Sequence, residues 1–324
     1  MQRILAIAVG TTPGKDRPEV LRGTIKGGRV EELRPYIGGL IAGLDKLGRK
    51  GGEDYEIDYA TCDLASLKKL VKAYYDEQKP DAIFAMSTSA LKCAMSVCKE
   101  TPIIFPSISD PMEDGGAKSN ATPGKNATGV RAMRRQTAPD GLELFKVTVP
   151  SLKTVYALQK PAYGPASRAM SNLKKAAKRA RVTFKPVLVK SLKDIEKAIS
   201  GLSQTGKDGK PEVGVFVLPD DVVLSASQKI CTLAQERRIP TFFPATDWVR
   251  AKSPSALGGY GVPQRTCGEA AAPYMHKVLD GIPANDLPIK RVGGFEWAVN
   301  KAVAQAIGIK LPDSVMKAAD RVVG

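Results

Sequence analysis

The sequence predicts an α/β protein folded as two similar doubly wound lobes with mostly parallel sheets. Three observations carry that expectation. Apolar runs rich in β-branched residues alternate with helical patterns, and nearly every run is closed by turn residues, which is the signature of βαβ units. The alternation occurs twice in the same type, once up to Val130 and again from Ala138. A chain of 324 residues, 43% hydrophobic and 25% charged, is also long enough to fill two medium cores.

The first half begins with the strand ILAIAV (4–9). After a polar Gly-rich loop comes RPYIGGLIAGLDKLG, where Ile37, Leu40, Ile41, Leu44 and Leu47 form a helical stripe and Gly48 a stop. YEIDYA (55–60) is the next strand, and Asp63 caps LASLKKLVKAYYDEQK, striped by Leu67, Leu70, Val71 and Tyr74. DAIFAM, TPIIFPSI and the short NATGV complete a half-domain of about five strands. The insert GKDRPEVLRGTIKGGRVEE (14–32) is long for a βα loop, and such loops tend to carry function or stay disordered.

The second half runs through a helix over 138–147, strand TVYALQ, the basic helix SRAMSNLKKAAKRARV, strand VTFKPVLV and a helix over 192–202. Strand VGVFVLP, a helix near 226–236, strand PTFFPA and the short LGGYGV follow. TGKDGKPE (205–212) reads as an exposed turn. No apolar run approaches the roughly 18 to 20 residues that a membrane helix needs, and there is no tandem repeat or low-complexity tract.

Net charge is +16, and residues 146–210 hold 15 Lys and Arg against 3 Asp and Glu. In the basic helix, Met170, Leu173, Ala177 and Ala180 share one face, so its cations read as a solvated outer face. Few aromatics are interleaved and no nucleic-acid motif is present, so no nucleic-acid partner is expected. Attraction to an anionic membrane surface would use the same charges. Cys62, Cys93, Cys98, Cys231 and Cys267 form no CxxC pair, and the lone His276 cannot complete a zinc set with them. They read as buried small hydrophobes; neither metal nor cofactor is expected.

In parallel sheets ligands bind at the carboxyl ends of strands. The first strand delivers Thr11 and Thr12 there; MSTSALKC delivers Ser87, Thr88 and Ser89 ahead of a helix whose N-terminus suits a carboxylate. FPSISDP supplies Ser109 and Asp110, LPDDVV supplies Asp220 and Asp221, and PATDW supplies Asp247 beside Trp248. Tyr163, in PAYGPAS, could stack on a ligand or sit in a plain turn. Asp110 and Asp220 could form an acid–base pair, or accept hydrogen bonds from a bound solute. No GxSxG elbow or HExxH is present, and His276 lies in a helical surface pattern.

The opening MQRILAIAVGTTPGKDRPE admits three readings. As a P-loop, Gly10 to Gly14 is one residue short and Asp16 replaces the metal-binding hydroxyl. As a secretory signal its apolar core is marginal. As a first strand it fits the sheet. GGYGVP holds only a GxG fragment of a dinucleotide motif.

The order of motifs resembles the family of ABC-transporter substrate-binding proteins that includes tryptophan- and phenylalanine-binding members. LIAGLDKLG, YEIDYATCD, KPDAIFAMSTSALKCA, TPIIFPSISDP, PGKNATGV, LELFKVTVPSLKTV, VGVFVLPDDVV, RIPTFFPATDWV, LGGYGVPQRTCGEAAAPYMHKVLDGIPANDLPI and VNKAVAQAIGIKLPDSVMKAADRVV follow the family's succession. The resemblance implies a type I periplasmic-binding-protein fold, a Venus-flytrap of two lobes joined by three crossovers. It implies lobes of 1–130 with 257–282 and of 131–256 with 283–324, with a ligand cleft between them. It places Ser87, Thr88, Ser89, Ser109 and Asp110 on one lobe, with Asp220 and Asp247 closing from the other. The long first loop and Arg131, Arg134 and Arg135 depart from the family and leave room for an acidic or otherwise carboxylate-bearing solute.

The function these readings imply is a non-enzymatic, monomeric, extracytoplasmic receptor, periplasmic or lipid-anchored. It would bind a small carboxylate-bearing solute, such as an amino acid, and deliver it to ABC permease subunits. The export signal is then expected to have been removed, with Met1 a later start. The alternative is a cytoplasmic α/β enzyme with Asp110 as base.

Overall fold

A computed structural model describes residues 1–9, 19–21, 35–160, 164–202 and 209–324. The chain divides into two units: Met1–Met133 with Gln264–Gly293, and Arg134–Pro263 with Gly294–Gly324.

Unit 1 is built on a seven-stranded sheet. Its strands are β1 (Gln2–Val9), β2 (Glu19–Leu21), β3 (Tyr55–Cys62), β4 (Ala82–Ala85), β5 (Ile103–Phe105), β6 (Ala127–Arg131) and β12 (Lys290–Arg291), in the order β12-β6-β5-β4-β1-β3-β2. Ile4 to Ile7 are fully buried, as a central strand covered on both faces requires. One face packs on α2 (Leu64–Gln78) and α3 (Thr88–Val97), where Leu67, Val71, Leu91 and Ala94 meet Leu5, Ile7, Ile83 and Phe105. Asp63 caps α2 through Oδ1, accepting from the N–H groups of Ala65 and Ser66, as its position predicts.

The other face carries α1 (Pro35–Lys46) and α10 (Gln264–Leu279), two helices more than two hundred residues apart in the chain. They cross at glycines. A Cβ on Gly39 would enter the Arg265 carbonyl, one on Gly268 would enter the Tyr36 carbonyl, and one on Gly43 would strike the Ala272 methyl. The backbones therefore approach more closely than any side chain permits.

Unit 2 has the same plan. Its strands are β7 (Thr154–Gln159), β8 (Thr183–Leu188), β9 (Val213–Val217), β10 (Thr241–Phe243), β11 (Gly258–Gly261), β13 (Glu296–Asn300) and β14 (Arg321–Val323), in the order β14-β13-β11-β10-β9-β7-β8. Its helices are α5 (Arg134–Thr148), α6 (Gly164–Arg179), α7 (Leu192–Ser200), α8 (Asp221–Ser225), α9 (Ser227–Glu236), α11 (Lys301–Ala306) and α12 (Asp313–Ala318); α4 (Pro111–Gly115) belongs to unit 1. Phe145, Phe216 and Phe242 fill the centre, with ring centroids 5.3 and 6.2 Å apart along the row. The apolar stripe of the basic helix packs as expected, with Leu173 and Ala177 buried.

Each sheet has two strands more than the five expected: β2 and β12 at the two edges of the first, and β13 with the edge strand β14 in the second. β2 lies within the stretch read as a loop and pairs antiparallel with β3. β12, β13 and β14, with α11 and α12, come from the C-terminal residues, where no local pattern had been assigned. α5 starts at Arg134, a turn before the expected Ala138. Pro139 sits inside it and costs one ladder bond, while the added turn is packed through buried Arg134 and Arg135.

The division into units also differs from the expected lobes. Residues 257–263 belong to unit 2, because β11 pairs with β10 and β13. Residues 283–293 belong to unit 1, because β12 pairs with β6.

All five cysteines are free and buried. Burial pushes the Cys62 thiol up to about 11 and those of Cys98 and Cys231 to about 12. A folded thiol that stays protonated while its unfolded counterpart ionises adds stability that is complete below the unfolded value near 9.0 and fades as the pH climbs toward the folded value. The thermal midpoint should therefore fall between about pH 9 and pH 12, and the slope should flatten in the Cys98→Ala, Cys231→Ala double variant. An unchanged slope would refute the assignment.

The crossing makes a second prediction. Gly268→Val should cost stability at or above the top of the roughly 1–3 kcal/mol range for overpacking, read as a lower urea midpoint. Gly293→Val, whose Cβ meets nothing within 4 Å, should change stability by less than about 0.5 kcal/mol.

Candidate functional site

Counted within each unit, the five principal strands run second, first, third, fourth, fifth across the sheet. The strand order reverses between β1 and β4 in unit 1 and between β7 and β9 in unit 2. Chain connections leave in opposite directions there, opening a crevice at the carboxyl ends where ligands of such sheets bind.

At the unit 1 switch point β4 runs through Met86 into Ser87. Ser87 is the N-cap of α3, with extended backbone, and its Oγ accepts from the Ala90 N–H at 3.1 Å. Thr88, 8% exposed, and Ser89 open the first turn. The Ser87 hydroxyl completes the cap, and Thr88 and Ser89 follow it at the positive end of α3.

On the next strand, β5 leads to Ser109 and Asp110. Asp110 caps α4, its Oδ1 accepting from the Glu113 N–H at 3.3 Å. From β6, Arg131 reaches the same loop: Nη2 donates to the Ser109 carbonyl at 3.2 Å and Nη1 to Asn120 Oδ1 at 3.3 Å. Arg131 is 6% exposed, and its Nε is buried without a hydrogen-bond partner. A buried cation with two long bonds to neutral acceptors is an incompletely compensated charge. It stands two strands along from the α3 terminus on the same edge.

At the unit 2 switch point Asp220 is tied into the fold. Its Oδ2 accepts from the Lys160 N–H at the end of β7 (2.9 Å), and its Oδ1 from the Val223 N–H in α8 (3.3 Å). The carboxylate, 1% exposed, ties the two strands that diverge there. Gln159, just before Lys160, has a buried Oε1 without a hydrogen-bond partner. At the end of β10, Asp247 lies in a 3₁₀ turn whose carbonyl accepts from Arg250 Nε at 2.9 Å. The same turn is anchored by Arg321, whose Nη2 donates to the Thr246 carbonyl at 2.9 Å and whose Nε pairs with Glu296 at 2.6 Å.

The structure thus brings Ser87, Thr88, Ser89, Ser109 and Asp110 to one edge of unit 1, and Asp220 and Asp247 to one edge of unit 2. Thr11, Thr12 and Tyr163 lie outside the described residues, as does the side chain of Asp221. Gln159 carries no sequence signature, since a glutamine ending a strand has none, and Arg131 is legible in the sequence only as a departure from the family. His276 lies elsewhere. Its Nδ1 accepts from Arg49 Nε at 2.9 Å and its Nε2 stands 3.3 Å from Asp280, in a surface ion-pair network. The GxG fragment is strand β11, where a Cβ on Gly259 would enter the Ala245 carbonyl.

A cavity of about 370 Å³ opens at the opposite, amino edge of unit 1, lined by Asp81, Glu100, Lys125 and Asn126 among others. Two of its polar groups already serve the fold. Asp81 accepts from the Arg3 N–H at 2.6 Å, and Asn126 Nδ2 donates to the carbonyls of Cys98 and Thr101. The carboxyl edges remain the better candidates. Among the described residues no three His, Cys, Asp or Glu side chains are grouped to hold a metal ion.

Residues 31–323 match the model of the ABC transporter substrate binding protein family. A curated relative, the "Tyrosine-binding protein" of Clostridioides difficile (strain R20291), is 25% identical over 274 residues, covering 84% of this chain and 76% of the relative. A conserved domain protein from Vibrio cholerae superposes with a TM-score of 0.80 at 23% identity, covering 99% of both chains. An ABC domain from Streptococcus pneumonia, solved in complex with L-Trp, superposes with a TM-score of 0.77 at 22% identity, again over 99% of both.

The Asp220 tie makes its own prediction. Asp220→Ala leaves two backbone donors, one of them buried, without their carboxylate, and should destabilise the protein by about 1–3 kcal/mol in urea unfolding without ligand. A loss confined to ligand affinity, with unfolding unchanged, would show that the carboxylate faces solute instead.

Proposed function

This chain belongs to the ABC transporter substrate-binding protein family, and we propose that it is an extracytoplasmic receptor for an amino acid, aromatic ones first, which it passes to a membrane permease. The observation that carries the reading is the hydroxyl-rich start of α3 at the unit 1 switch point, with buried Arg131 on the same sheet edge. The solute's carboxylate meets the Ser87–Ser89 turn, where helix N–H groups and hydroxyls converge on an anion. On the corresponding edge of unit 2, Gln159 has a buried Oε1 without a hydrogen-bond partner, an acceptor of the kind an ammonium group needs. Binding favours one of the conformations the chain populates, a population shift rather than a reaction.

The family and the named ligands of two similar proteins, tyrosine and tryptophan, support an aromatic amino acid. They also support a binding protein over an enzyme. An enzymatic role for Asp110 would have to free a carboxylate that already caps α4.

Thermal-shift screening followed by calorimetry tests the proposal. L-Tyr, L-Trp and L-Phe should raise the melting temperature, and tyramine and tryptamine, which lack the carboxylate, should not. Ser87→Ala with Ser89→Ala should weaken the best ligand about tenfold. Stabilisation by the amines as strong as by the amino acids would overturn the carboxylate role, and failure of every amino acid would overturn the proposal itself.

A further inference from the structure

Arg179 of the basic helix α6 is turned toward α5, where its Nε meets Glu143 Oε1 at 2.7 Å. At about 100° per residue, Lys174 and Lys178 then lie on the opposite flank of α6, away from α5 and toward the β8 edge of the sheet. β8 is the last strand on that side. It adds Lys185, whose Nζ stands 5.5 Å from the Tyr156 ring centroid, and the turn into α7 adds Lys190. All four lysines are exposed. Beside them two large apolar side chains face outward: Leu188 at the end of β8, 60% exposed, and Leu192 at the start of α7, 50% exposed.

We propose that this β8 edge is a docking surface for an anionic lipid bilayer. Three features select that occupant. Pro186 offers no N–H and Lys185 adds charge, so the strand is blunted against pairing with another chain, a second copy included. Exposed aromatic side chains, on which unstacked bases would lie, are missing from the described part of the edge: Phe184 and Tyr156 are half-buried against the sheet. Lysines on long flexible stems beside protruding leucines match a surface that presents negative charge over an apolar layer. Such docking keeps a receptor in the plane of its permease, whichever solute it carries.

Cosedimentation of the full chain with vesicles tests this. Phosphatidylcholine vesicles containing phosphatidylglycerol should bind the protein at low ionic strength and lose it in about 0.5 M salt, while pure phosphatidylcholine should not bind. Lys174→Glu, Lys178→Glu, Lys185→Glu and Lys190→Glu together should weaken binding at least about tenfold. Lys68→Glu, Lys69→Glu, Lys92→Glu and Lys99→Glu, an equal charge change in unit 1, should leave most of it. Leu188→Ser with Leu192→Ser, which keeps the charge, should also weaken binding. Equal loss in both charge-reversal variants, no preference for anionic vesicles, or tighter binding to duplex DNA than to vesicles at the same salt would overturn the proposal.

Discussion

The crossing of α1 and α10 is the contact on which unit 1 depends. The chain leaves that unit after Met133 and returns at Gln264, so the returning helix needs a seat that recognises it. Glycines at 39, 43 and 268 supply one by letting two backbones close on each other. The reward is dispersion and excluded water along a whole helix face, and the constraint is that no larger residue fits. Once α10 is seated, the following residues reach β6 and complete the sheet with β12.

Both sheets then present the same strand order, and with it the same kind of crevice. What differs is how each crevice is finished. In unit 1 the incompletely compensated Arg131 leaves hydrogen-bonding capacity at the edge. In unit 2 the Asp220 carboxylate stitches β7 to β9, so the crevice is held by its own acid. Gln159, whose buried Oε1 has no hydrogen-bond partner, lies beside that stitch. A substrate-binding role needs such unevenness: fixed walls, and a few groups whose demand is met by solute.

Much of this was legible in the sequence, because periodicity reports burial. β1, β3, α2 and the apolar face of α6 stand where their patterns put them, and the Asp63 and Ser87 caps follow from residue chemistry. The misses have physical causes. β2, β12 and β14 have only two or three residues, too few for a period, and exist because a neighbouring strand offers an edge. The unit boundaries depend on which strands pair across the chain, and pairing leaves no local mark. Asp220 and Asp247 look alike as letters after a strand, and only geometry distinguishes a stitch from an acid in a surface turn.

The five enclosed thiols have a consequence for the life of the chain. Buried and kept protonated, Cys98 and Cys231 are poor nucleophiles in the native state, so oxidants must wait for an opening of the fold. Vulnerability to mispaired disulfides becomes a question of time rather than of compartment. It accumulates during any interval in which the polypeptide is unfolded, and it stops growing when the helices close over the sheets. Fast folding is then what shields these thiols.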